Sequence, residues 1–168
     1  GRGIHAHGLL DRYVAHRTAL AEAVHAAGLH VVLDAANGAA HRVGPEILRA
    51  TGARVTVIHD APDGDNINRG CGAMHPETLQ AAVQAHGADV GFALDGDADR
   101  CIAVDGAGNL VDGDQVLGIL ALERLRRGAL DRNSLVVSVL SNGGLGQAVE
   151  DAGGRLVPAS VGDKRITA

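Results

Sequence analysis

A chain of 168 residues has room for one ordinary domain or two small ones, and 46% hydrophobic with 21% charged residues fits a globular protein. A formal charge of -5 provides no basic face for nucleic acid. No apolar run approaches the ~20 residues of a membrane span, and no charged segment followed by an apolar stretch marks a signal peptide. With only two cysteines, Cys71 and Cys101, far apart in sequence, a reduced, cytoplasmic setting is expected. One Phe, one Tyr and no Trp mean that the core must be built from Ala, Val, Leu and Ile.

The elements follow in order. Leu9 to Ala27 reads as a helix, with Leu10, Val14, Leu20 and Val24 as its apolar positions and Gly28 as its stop. The β-branched run His30 to Ala35 predicts a buried strand, and Asn37-Gly38 a turn. A helix is expected over Pro45 to Thr51, a strand over Arg54 to Ile58, and a long loop from His59 to His75. Pro76 to His86 is a helix whose proline sits early, where its missing N–H matters little. Asp89 to Leu94 is a third strand.

Cys101 to Val104 is the next strand. The turn before it is too short for a parallel crossover, so it must run antiparallel to the third. Asp105 to Asn109 is a hairpin-like turn. Asp112 to Arg127 is a helix with an apolar stripe of Val116, Leu117, Leu120, Leu122 and Leu125. A strand over Leu135 to Leu140, a helix over Gly144 to Ala152 and a short strand over Arg155 to Pro158 complete the chain. This alternation predicts an α/β layered fold with a mixed, mainly parallel sheet and flanking helices, then an incomplete second α/β domain. The boundary is placed between residues 106 and 107. Right-handed crossovers put the strand ends at Asp34, His59 and Asp95 along one edge, where open α/β sheets bind ligands.

The turn FALDGDADRCIAVD, Phe92 to Asp105, carries Asp95, Asp97 and Asp99 at alternate positions beside a core. Like charges so close call for a positive partner. An EF-hand would need Gly at the sixth position and Glu at the twelfth, which hold Arg100 and Gly106. A hard divalent cation held by oxygens remains, Mg²⁺ above all, with the solvated Asp/Gly turn as the plain alternative. Arg100 would face an anion bound to the same metal. Asp63 and Asp65 read as turn residues, and Asp112 or Asp114 as the start of a helix. Ser141 to Gly146 partly matches a dinucleotide-binding turn, but Val149 replaces the last glycine, leaving a tight strand-to-helix turn. The nine histidines show no ligand spacing beyond His5 and His7 and read mostly as surface residues; neither cysteine is marked as a nucleophile.

At LDGDADR the chain resembles the α-D-phosphohexomutases, and within them the phosphoglucosamine branch. The acidic turn is similar to that family's DGDGDR metal loop, with Ala98 in place of the middle glycine. Further matches are GRG…LLDRYV (Gly1 to Val14), LDAANGAA (Leu33 to Ala40), GDNINRGCGAMHPETL (Gly64 to Leu79), VDGDQ, SNGGL and VGDKR. The resemblance implies a four-domain enzyme, with residues 1–106 as the second domain preceded by a linker helix and 107–168 as the first part of the third. It implies interconversion of glucosamine 6-phosphate and glucosamine 1-phosphate through a phosphoserine and a bisphosphate intermediate, a product that feeds cell-wall precursor synthesis, and a phosphosugar substrate. Carried over, Asp95, Asp97 and Asp99 would ligate Mg²⁺ and Arg100 would contact the phosphoserine. The serine, sugar and phosphate loops would lie in other domains of the same protein, so this chain alone is expected to be inactive. Phosphomannomutase/phosphoglucomutase activity and a non-catalytic sugar-phosphate or cation-binding module stay open as alternatives. Ala98 in place of the glycine is expected to be tolerated only with an ordinary negative φ. Lys164 keeps a positive charge where the branch has arginine, and no role is assigned to it or to Arg165.

Overall fold

The computed structural model describes residues 8–162. The Gly1–Gly3 motif, His5, His7, Lys164 and Arg165 lie outside them. The chain forms two compact units, one through Leu110 and one from Val111.

The first unit is a five-stranded mixed sheet in the order β2-β1-β3-β4-β5. Its parallel centre is β1 (His30–Asp34), flanked by β2 (Arg54–Ile58) and β3 (Val90–Leu94). The antiparallel β4 (Cys101–Asp105) pairs Leu94 with Cys101, as the shortness of the acidic turn requires. The short β5 (Leu110–Val111), absent from the sequence reading, extends the edge after the Asp105 turn. All five residues of β1 are buried, since it is covered on both faces. Successive side chains alternate: Val32 packs with Leu79 and Val83 of α3 (Pro76–His86), while Leu33 lies against Gly44 of α2 (Ala40–Ala50). Val104, Ala93 and Ala88 complete a core of small aliphatic residues.

Two helices of this unit differ from expectation. The first, α1 (Leu9–Ala21), stops six residues before Ala27, because the following chain turns to donate the Ala26 N–H to the Thr51 carbonyl at 2.8 Å. It packs along α2, yet Leu10, Leu20 and Val24 stay exposed and only Ala21 is buried. In α2 the helix begins at Ala40 and carries the buried Pro45 inside it rather than at its start. The proline forgoes one helical hydrogen bond, while Gly44 before it lets α2 approach Leu33 closely.

The second unit holds α4 (Gly113–Arg126), β6 (Ser134–Ser138), α5 (Gly143–Asp151) and β7 (Arg155–Ala159), with β6 and β7 parallel. Asp112 caps α4: its side chain accepts from Gln115 N, and the Gln115 side chain accepts from Asp112 N. Asn142 caps α5, so Ser141 to Gly146 is a strand-to-helix turn. Ala121, Val137, Leu145 and Val149 form the core, with Leu125 packed against it. Val116, Leu117 and Leu120 of the expected stripe are exposed, since among the described residues of its unit α4 packs mainly on α5 and a two-stranded sheet. Among the described residues no helix is long and apolar enough to cross a membrane.

His30 corrects the surface reading of the histidines. It is 4% exposed, with Nε2 2.8 Å from Thr56 Oγ1 and Nδ1 accepting from Arg54 at 2.8 Å. Burial, then the positive charges of Arg54 and His86, hold its pKa below the ordinary 6.5, against the opposing pull of Asp89. The unfolded chain therefore binds the proton more readily. The contribution of neutral His30 is complete above pH 6.5 and is lost as pH falls from there towards the lowered value. Urea midpoints should drop between pH 7.5 and pH 5.5, and His30→Gln should shrink that drop; an unchanged drop would remove His30 as its source.

Candidate functional site

Because β1, β2 and β3 are parallel, their ends Asp34, Ile58 and Leu94 open onto one edge. Three loops meet there. Asn37 N donates to the His59 carbonyl at 2.7 Å and Asn68 N to the Ala36 carbonyl at 2.9 Å, tying the long loop to the end of β1. Ala39 N donates to the Gly96 carbonyl at 2.8 Å, tying the same segment to the acidic turn. A Cβ at Gly38 would fall on the Gly96 carbonyl, and one at Gly96 would strike Ile67, so glycine permits this stacking.

In the acidic turn, carboxylate oxygens of Asp95, Asp97 and Asp99 lie within 4.8 Å of one another. Asp95 is 2% exposed, whereas Asp97 and Asp99 face solvent. Arg100 closes the turn on Asp95: its backbone N–H donates to Oδ1 at 3.1 Å, and Nε and Nη2 lie 2.8 Å from Oδ2. Burial alone would raise the Asp95 pKa, but these bonds and the guanidinium charge prevail and hold it below the usual carboxylate range. Asp99 is pushed up, first by Asp97 and then by Asp95. One member is therefore fixed and charged, and two exposed members repel. That distribution attracts a cation from the solvent side. An oxygen-only set of this kind fits Mg²⁺ chemically.

Ala98 departs from expectation. Its φ is +62°, in the left-handed region, where a Cβ costs about 1–2 kcal/mol. The tight turn, closed by Ala98 N donating to the Asp95 carbonyl at 3.0 Å, imposes it. Ala98→Gly should stabilise the first unit, by less than about 1 kcal/mol after the greater freedom of glycine in the unfolded chain is subtracted. Urea denaturation measures this, and a destabilised variant would show that the alanine makes compensating contacts.

The sequence reading placed Asp34 and His59 on this edge but missed that they form a second cluster there with Cys71. Asp34 is fully buried; Oδ1 accepts from Ala36 N and Oδ2 from Gly72 N, each at 2.9 Å, and Thr78 Oγ1 donates at 3.3 Å. His59 Nδ1 lies 3.1 Å from Oδ2 but off the line of an N–H···O bond, so this buried nitrogen has no hydrogen-bond partner among the described residues. Cys71 is fully buried beside them, and burial, then the charge of Asp34, push its thiol pKa up. A carboxylate directly after the apolar run Val31–Leu33 of the buried central strand was the available signal, because such a group needs several donors. Asp63, by contrast, closes the local turn read from sequence, accepting from Asp65 N at 2.8 Å and Asn66 N at 2.9 Å.

Known proteins share this fold. Residues 11–108 match the family profile of the phosphoglucomutase/phosphomannomutase α/β/α domain II, and residues 112–168 that of domain III. A phosphoglucosamine mutase of Symbiobacterium thermophilum is 52% identical over 94% of this chain and 35% of its own length. One from Leifsonia xyli is 54% identical over 93% of this chain and 34% of its own. This chain thus spans about a third of the length of such relatives. Among solved structures, a phosphoglucomutase/phosphomannomutase family protein of Burkholderia thailandensis superposes with a TM-score of 0.76 at 28% identity, over 93% of this chain and 34% of that one. N-acetylphosphoglucosamine mutase of Aspergillus fumigatus, solved with GlcNAc-6P and magnesium, gives 0.67 at 25% identity over 90% and 34%. From its α/β/α units to its matched motifs, the chain belongs to the phosphoglucomutase/phosphomannomutase family.

Proposed function

We propose that this chain is the metal-binding middle portion of a phosphoglucosamine mutase, which interconverts glucosamine 6-phosphate and glucosamine 1-phosphate through a phosphoserine and a bisphosphate intermediate. The acidic turn at the sheet edge carries this reading, in a chain more than half identical to phosphoglucosamine mutases. Asp95, Asp97 and Asp99 would hold Mg²⁺, which when bound neutralises phosphate charge and acts as a Lewis acid. Asp95 anchors the turn to the sheet, and the two exposed carboxylates present their oxygens outward. Arg100 commits one edge of its guanidinium to Asp95, yet its side chain is 61% exposed. It retains donors for a phosphoryl oxygen. Positioning and charge neutralisation are what phosphoryl transfer asks of a protein.

In this reading the serine, sugar and phosphate loops come from other domains of the same protein, with residues 1–106 serving as the second domain and 107–168 as the start of the third. The enzyme works in the cytoplasm and supplies a precursor of cell-wall amino sugars. The test is an assay of the full-length protein with glucosamine 6-phosphate, Mg²⁺ and a hexose bisphosphate. Mg²⁺-dependent formation of glucosamine 1-phosphate is expected, faster than turnover of mannose or glucose phosphates, with none from residues 1–168 alone. Preference for mannose or glucose phosphate would overturn the substrate, and turnover by the chain alone would overturn the divided site.

A further inference from the structure

We propose that Asp34, His59 and Cys71 form a second cation site, for a thiophilic divalent ion of the Zn²⁺ type, separate from the acidic turn. One ligand atom of each residue lies within 4.8 Å of the others. The residues come from the end of β1, the start of the loop after β2, and that loop's far end. The Asp34–His59 geometry favours shared ligation over a hydrogen bond. Tetrahedral bonds of about 2.0–2.2 Å to nitrogen and oxygen hold the two ligand atoms roughly 3.3 Å apart, without directing either at the other. The observed pair is 3.1 Å apart and misaligned, and the imidazole Nδ1 is left buried without a hydrogen-bond partner among the described residues.

The surroundings support ligation. Gly72 N and Thr78 Oγ1 donate to Asp34 Oδ2, and Asn37 Nδ2 approaches Cys71 Sγ at 3.8 Å, as outer groups do around metal ligands. Chemistry separates the two sites: nitrogen with sulfur suits Zn²⁺, whereas the oxygens of the acidic turn suit Mg²⁺. On binding, the Cys71 S–H proton leaves to solvent as the S–metal bond forms. One carboxylate, one thiolate, a neutral imidazole and a divalent cation then sum to zero charge. The partly exposed His59 provides the entry path. The ion would clamp the long loop that carries Ile67 and Asn68 against Gly96 of the acidic turn.

Co²⁺ is the spectroscopic probe. Chelator-treated protein carrying Cys101→Ser, which removes the exposed thiol, is titrated with Co²⁺. The expected result is one equivalent bound with a thiolate-to-cobalt charge-transfer band, displaced by Zn²⁺ but not by excess Mg²⁺. Adding Cys71→Ser should abolish the band, His59→Gln should weaken Co²⁺ binding at least tenfold, and Asp97→Asn should leave the band in place. Absence of the band at saturating Co²⁺, its survival in Cys71→Ser, or its loss in Asp97→Asn overturns the site. If circular dichroism shows Cys71→Ser unfolded, His59→Gln decides, and unchanged Co²⁺ affinity there overturns it as well.

Discussion

Asp97→Asn in the full-length enzyme is expected to lower kcat by at least about 100-fold and to raise the Mg²⁺ concentration needed for half-maximal rate. A Lewis-acid metal supplies several kcal/mol of charge stabilisation to phosphoryl transfer, and about 2.7 kcal/mol corresponds to a hundredfold change in rate. Asp97 is an exposed member of the turn, while Asp95 is already engaged by Arg100. The substitution therefore removes an exposed carboxylate of the proposed metal site and leaves the Asp95 anchor intact. It also removes the charge that contributes most to raising the Asp99 pKa. Mg²⁺-dependent kinetics of wild type and variant, with urea midpoints to show that the fold is kept, measure the effect. Wild-type kcat and metal dependence in a folded variant would remove Asp97 from the proposed metal site.

Asp34→Ala is expected to be among the most destabilising single changes in the first unit. The carboxylate satisfies the backbone N–H groups of Ala36 and Gly72 in a fully buried position. Each stranded donor costs about 1–3 kcal/mol, so a total loss of roughly 2–6 kcal/mol follows. Gly72 sits at φ +76° so close to its neighbours that a Cβ there would strike Ala36 and the Leu94 carbonyl, which leaves its backbone little room to turn the N–H elsewhere. Asp34→Asn should fall between wild type and alanine, since one amide oxygen can still accept. Chemical denaturation of the three proteins provides the ranking. A loss below about 1 kcal/mol in the alanine variant would mean that water replaces the carboxylate and that Asp34 is no hub.

The two changes probe sites of different legibility. The acidic turn announces itself in the sequence, because three carboxylates at alternate positions within a few residues are held together by local geometry whatever the rest of the chain does. The short link between β3 and β4 fixed their antiparallel pairing for the same local reason. The parallel strands and their order of helices were legible from alternating apolar runs bounded by glycine and proline. The Asp34, His59 and Cys71 cluster was legible only in part: strand ends put Asp34 and His59 on one edge, but its members are 25 and 12 positions apart and nothing local joined Cys71 to them. Only the parallel pairing of β1 with β2, and the return of the long loop over both, brings them together. The left-handed backbone at Ala98 was likewise decided by closure of the turn, against the preference of the residue. The end of α1 at Ala21 was decided by the Ala26–Thr51 hydrogen bond, against a helical pattern that ran on to Ala27. By itself the sequence determined what local spacing dictates: the elements, the sense of the short turn and the carboxylate set. Tertiary structure decided which distant polar groups share a buried edge, because satisfying a buried carboxylate depends on donors that reach it through the fold.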